Sequence, residues 1–127
     1  MNVGELSGAR LDKWVAIAEG FGSAVMIREY GAQVAACLFS SRVMRSGDVV
    51  HRPGDFWEPS VDWRQGGPLI ARERINIIES MGSWPCSWLA FKHEVGINWV
   101  GSDPLVAAMR AYVASKFGFD VPDEVRA

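Results

Sequence analysis

Apolar positions in this chain follow two rhythms, and the switches between them mark its elements. Leu11, Trp14, Val15 and Ala18 fall at i, i+3, i+4 and i+7, one stripe of a helix. Ser7 is a good N-cap, because its hydroxyl can accept a bond from a free N–H of the first turn. Leu6 and Leu11 are spaced as a hydrophobic staple, and Gly20 is a stop. The pattern predicts a helix from Gly8 to Glu19. Ala24–Ile27 and Val34–Phe39 are short apolar runs on either side of Tyr30-Gly31-Ala32. They read as a hairpin, although the alanine-rich second run also fits a helix. Residues 40–60 lose both rhythms. Ser46-Gly47-Asp48 and Arg52-Pro53-Gly54-Asp55 are turn signals, so this span is expected as an exposed, variable, loop-rich segment.

Gly67 and Pro68 read as the N-cap and first residue of a short helix over Leu69–Arg74. Ile75-Asn76-Ile77 alternates and predicts a strand through Glu79. Met81-Gly82-Ser83 reads as a turn. Ser87–Lys92 and Val95–Val100 are further strands of one meander, with Glu94 or Gly96 at the turn. Asp103-Pro104 then opens a helix in which Val106, Met109, Val113 and Phe117 form the apolar stripe, flanked by Leu105 and Tyr112. Gly118 closes it, Phe119 is placed to fold back on the last turn, and residues 120–127 are expected to fray. The order predicts one α+β domain over residues 1–127. Its core would be an antiparallel β-sheet of three to five strands packed by an N-terminal and a C-terminal α-helix.

Composition narrows the classes. The 127 residues are 49% hydrophobic and 22% charged, enough apolar material for a core without staples. Thirteen Lys and Arg against fifteen Asp and Glu leave a net charge of -2. A broad basic surface is therefore not expected, nor is nucleic acid as a partner. No apolar run is long enough to span a bilayer, and the start of the chain lacks a basic and apolar leader. The expectation is a soluble protein of a bacterial cytoplasm. Cys37 and Cys86 are far apart and form no C-x-x-C pair, so a disulfide framework is not expected.

Catalytic motifs for nucleotide binding, zinc hydrolysis or a serine nucleophile are missing. His51 and His93 have no nearby ligating residues, so no metal and no cofactor are expected. The stretch SVDWRQGGPLIARERINI, residues 60–77, is the richest in chemistry. As a binding site, the N–H groups of Gly66 and Gly67 would hold a small anionic ligand. Trp63 or Trp57 would stack on a planar group, Arg72 or Arg74 would fork onto a phosphate or carboxylate, and Asp62 or Glu73 would accept hydrogen bonds. Arg110, one turn from Val106 and Val113, would serve as an anion clamp. As plain structure, Gly-Gly-Pro starts a helix, Trp63 fills the core, and the charges are a solvated face. Arg110 would then be a surface residue with a buried stem. An exposed Trp84 or Trp99 would instead mark a protein interface. An enzyme using Asp62 or Glu73 as a base needs a buried carboxylate with a partner, which the sequence does not display.

Three blocks in order, ELSGARLDKWVAIAEG, SVDWRQGGPLIARERINI and DPLVAAMRAYVASKFG, resemble a family of small phage and prophage proteins termed NinX-like. The shared pattern includes Ser60, Asp62, Trp63, Gly66, Gly67, Pro68, Arg72 and Glu73, while Ser23–Trp57 looks like a variable insertion. The resemblance implies a phage origin and expression in bacterial cytoplasm, and it carries over no catalytic set. Two functions follow as expectations. One is a non-enzymatic accessory protein that binds a host bacterial protein. The other is a small-molecule, nucleotide-like binding protein using Asp62–Glu73. A homodimer suits a small chain with spare aromatics.

Overall fold

A computed structural model of the chain describes residues 1–31, 33–43, 45–47, 49–80, 87–92 and 97–122. The elements run α1 (Gly8–Glu19), β1 (Val25–Tyr30), β2 (Gln33–Val43), β3 (Val49–Phe56), α2 (Trp63–Glu73), β4 (Asn76–Ser80), β5 (Ser87–Phe91), β6 (Trp99–Gly101) and α3 (Pro104–Phe117). The fold is α+β. Its strands form two antiparallel meanders of three strands each, β1-β2-β3 and β4-β5-β6, where the sequence pattern predicted one sheet.

The helix ends follow local chemistry. Gly20 closes α1 in the left-handed region at φ 92°, while Ser7 stands at the N-cap without a capping bond from its side chain. Asp103 caps α3, its Oδ1 accepting from the N–H of Leu105 at 2.8 Å. Gly118, at φ 86°, ends that helix. The expected single stripe on α3 is wrong in kind. Leu105, Ala107, Ala108, Met109, Ala111, Tyr112 and Val113 are all buried. The helix is covered on several sides because it packs against α1, α2 and the β4-β5-β6 sheet. Val3, Leu6, Leu11, Val15 and Ile75 complete that main core. A second, smaller cluster of Ala9, Ala16, Val25 and Ala36 joins α1 to the β1-β2-β3 sheet.

The largest correction concerns residues 40–60. Strand β2 runs on to Val43 and pairs with β3, so most of the span expected as loop is ladder. Pro53 and Gly54 misled because β3 is an edge strand, where a proline costs no ladder bond on its open side. The register also shifts between the Cys37–Phe56 and Phe39–Pro53 pairs, a bulge that absorbs the Gly54-Asp55 signal. The hairpin turn at Gly31, φ 62°, and the turn at Gly47, φ 90°, stand where expected. A second correction concerns the tail. Val121 is buried, and its N–H donates to the Met1 carbonyl at 2.9 Å. The turns expected at 81–83 and 94–96, the residues Trp84, Cys86 and His93, and the last five positions lie outside the described residues.

Candidate functional site

The chain leaves β3 at Phe56 and enters α2 at Trp63, and the stretch between them is bonded on both sides. Toward α1, the indole N–H of Trp57 donates to the Asp12 carbonyl at 2.8 Å. The Trp57 ring meets Phe21 edge-on at 4.8 Å. The Ser60 N–H donates to Oδ1 of Asp12 at 2.9 Å. Toward α2, Gln65 works with both ends of its amide. Its Oε1 accepts from the Glu58 N–H at 2.6 Å and its Nε2 donates to the Phe56 carbonyl at 2.8 Å. Asp62 caps α2 by accepting from the Arg64 N–H at 2.9 Å.

Helix α2 therefore starts five residues before the expected Pro68, and Asp62 is its N-cap in place of Gly67. Pro68 lies inside the helix and Gly66 is buried in it. A Cβ on Gly66 would sit 2.4 Å from the Pro59 carbonyl oxygen and 2.8 Å from Leu105 Cδ2. The glycine is there for close packing against α3. Gly67 is looser, its nearest neighbour being Trp63 at 4.0 Å. Two further residues, unmarked in the sequence pattern, anchor this region from α1. Asp12 is only 3% exposed. Burial pushes its carboxyl up to about 7, hydrogen bonding from Ser60 lowers it and the nearby Glu58 raises it. The backbone bond is the one with good geometry, since the buried Ser60 Oγ meets no partner within hydrogen-bond limits. Lys13, also buried, donates its ammonium to the carbonyls of Gly22 and Val25. Burial lowers its pKa.

At the other end of α2, Arg72 forks onto Glu19 at 2.9 and 2.6 Å and reaches Glu73 at 3.0 Å. Its Nη2 also donates to Tyr112 Oη at 3.2 Å, and that hydroxyl donates to Glu19 at 2.6 Å. Lys92 and Lys116 approach Glu73 at 3.2 and 3.7 Å. Glu19 is held below its ordinary pKa, first by the Arg72 bonds. Burial would raise Glu73, but the bonds from Arg72 and Lys92 bring it down. Burial and the Glu19 bond raise Tyr112. The cluster clasps the ends of α1, α2, β5 and α3 together.

Arg110 donates to the carbonyls of Leu6 at 2.9 Å and Val100 at 2.6 Å. It stands two residues from Tyr112 on α3, roughly 200° around the axis, so it faces away from the Arg72 cluster. Asp62, Trp63, Gly66 and Gly67 thus stand in the first half of α2, Arg72 and Glu73 at its far end, and Arg110 on a face of α3 turned away from them. An open depression of about 540 Å³ does lie beside Arg110, lined by Gly4, Asn98, Trp99 and Ser102 among others. Trp99, named as a sign of an interface, is buried, and among the described residues the exposed indole is Trp63 at 54%. With it on the braced segment stand Phe56, 49% exposed, and Val61, 63% exposed.

Among the described residues, no group of three or more His, Cys, Asp or Glu side chains could hold a metal ion. No helix among them is long and apolar enough to cross a membrane. No curated protein matches the sequence. The family of Bacteriophage P22, NinX matches residues 2–116, which takes in the first two blocks, all but the last two residues of the third and the strands between them, and the chain belongs to that family.

Proposed function

We propose that this phage-family protein is a non-enzymatic accessory factor that acts by binding a protein of the bacterial host through residues 56–63. The observation that carries this is an apolar display on a rigid support. Phe56, Val61 and Trp63 are exposed on a segment whose backbone is held by Asp12, Gln65 and Ala36. Aromatic anchors on pre-ordered backbone are where protein interfaces concentrate affinity, because little entropy is lost on docking. The small-molecule reading draws less support. Asp62, Gly66, Arg72 and Glu73 already have internal partners or close neighbours.

The test is capture from a bacterial lysate by immobilised protein, with the retained protein then titrated against Trp63→Ala and Val61→Ser. Both variants should keep the wild-type melting temperature within a few degrees, since the side chains are exposed. Trp63→Ala should weaken binding at least tenfold, a typical hot-spot loss. Unchanged affinity in both variants, or no retained protein, sinks the reading. A retained small molecule lost in Arg72→Ala would replace it with the ligand-binding one.

A further inference from the structure

Arg110 is tied in place without being neutralised. Its Nε donates to the Leu6 carbonyl at 2.9 Å and its Nη1 to the Val100 carbonyl at 2.6 Å. Both acceptors are uncharged peptide groups. A guanidinium has five N–H donors, so this tie uses two and leaves three, the pair on Nη2 among them. Among the described residues no carboxylate answers its charge. Asp103 is turned into its own helix, where it caps the Leu105 N–H. Glu5 is exposed and makes no ion pair with Arg110. Burial alone moves the Arg110 pKa, and it moves it down. Arg72 is the contrast, since it spends its fork on Glu19 and Glu73. A half-buried cation without a counter-charge carries a desolvation cost that a bound anion would offset.

The guanidinium borders the open depression of about 540 Å³, a volume in the range of small-molecule sites. Asn98 and Ser102 stand on its rim, exposed, and their side chains make no hydrogen bond among the described residues. Gly101 helps to form its wall for a packing reason. A Cβ there would sit 2.6 Å from the Ala107 nitrogen, so the glycine lets β6 close onto α3. The wall and the cation are therefore fixed before any ligand arrives, which lowers the ordering cost of binding. Among the described residues that line the depression, only Arg110 is charged.

We propose that this depression binds a small monocarboxylate whose neighbouring hydroxyl or amide hydrogen-bonds to Asn98 and Ser102. One fixed guanidinium matches one negative charge, and its planar donors suit a carboxylate. A phosphate dianion or a polyphosphate calls for a second cation, which this wall does not supply. The site is separate from the proposed host-binding segment, since none of residues 56–63 lines it. Neither reading depends on the other.

NMR titration of the ¹⁵N-labelled full chain tests the proposal, with lactate, N-acetylglycine, inorganic phosphate and AMP as probes. Lactate or N-acetylglycine should shift the Gly101 and Ser102 amide signals and the Arg110 Nε–H signal. The shifts should saturate with a dissociation constant on the order of 1 mM, as suits so few ligand atoms. Ser102→Asp sets a like charge at the rim and should weaken binding roughly tenfold or more. Asn98→Ala removes one neutral hydrogen bond and should weaken it about threefold. Both side chains are exposed, so both variants should melt near the wild-type temperature. Arg110→Gln should abolish binding, and because it also loosens the Leu6–Val100 tie, Ser102→Asp is the deciding variant. No saturable shift from either monocarboxylate by about 50 mM overturns the proposal, since that limit lies far above the expected constant. Shifts that persist unchanged in Ser102→Asp overturn it too. Tighter binding of phosphate or AMP than of both monocarboxylates would also overturn it, because the match of single charges would then be wrong.

Discussion

At the scale of single residues, the two neighbouring glycines of α2 have opposite prospects. Alanine is the better helix former by about 1 kcal/mol. Gly67→Ala, with nothing nearer than 4.0 Å, should gain roughly 0.5–1 kcal/mol. Gly66→Ala would force the helix off Pro59 and Leu105 and should cost about 2–4 kcal/mol. Urea denaturation of the pair measures the difference. Asp12 makes a second prediction. Folded, it holds its proton up to about pH 7, against 3.8 as the reference value. The stability it contributes is whole below pH 3.8 and is lost as the pH rises through 7. Asp12→Asn, neutral throughout, should match the wild type near pH 4 and exceed it by on the order of 2–4 kcal/mol at pH 8. Denaturation curves at the two values check this, and equal differences at both would mean that Asp12 is not protonated in the fold. Nothing in the sequence marked Asp12. Its helix reads as one stripe with a wet back, and only the arrival of Ser60 from a distant segment buries it.

At the scale of elements, the Arg72 clasp fixes three helix ends to one strand. Arg72→Ala leaves Glu19 and Glu73 mostly buried without the cation between them. The loss should be about 1–3 kcal/mol at low salt and smaller at 1 M, since Arg72 itself is half exposed. Arg72→Lys should recover only part of it, because an ammonium cannot make the fork. Glu19 has a lowered pKa, so its contribution is present above about 4.5 and fades as the pH falls further. The deficit of Arg72→Ala should therefore shrink in acid, as thermal melts at pH 7 and pH 3 would show. Elements whose ends are set by local chemistry were legible in the sequence. Asp103-Pro104 and Gly118 bounded α3, and Gly20 bounded α1. Elements decided by neighbours were not. Strand β3 exists because β2 pairs with it, against the turn preference of Pro53-Gly54. Helix α2 carries two glycines and a proline because tertiary packing and the Asp62 cap outweigh propensity. The candidate site followed the same division. Residues 60–77 drew notice through their composition, whereas their bonds to Asp12, Glu19 and Tyr112 link positions 40 or more apart.

At the scale of the whole molecule, the two sheets do not share a ladder, and α1 and α3 carry the connection between them. The pairing of the chain's extremities also has a consequence for synthesis. The Met1 amino group bonds the Val121 carbonyl 120 positions away, and Val3 takes the Phe119 carbonyl. Met1 and Val3 are therefore placed only after Phe119 and Val121, translated more than a hundred positions later, have emerged. Val3 and Leu6 stay wet until α3 emerges, so the hydrophobic core closes only after that helix has been made.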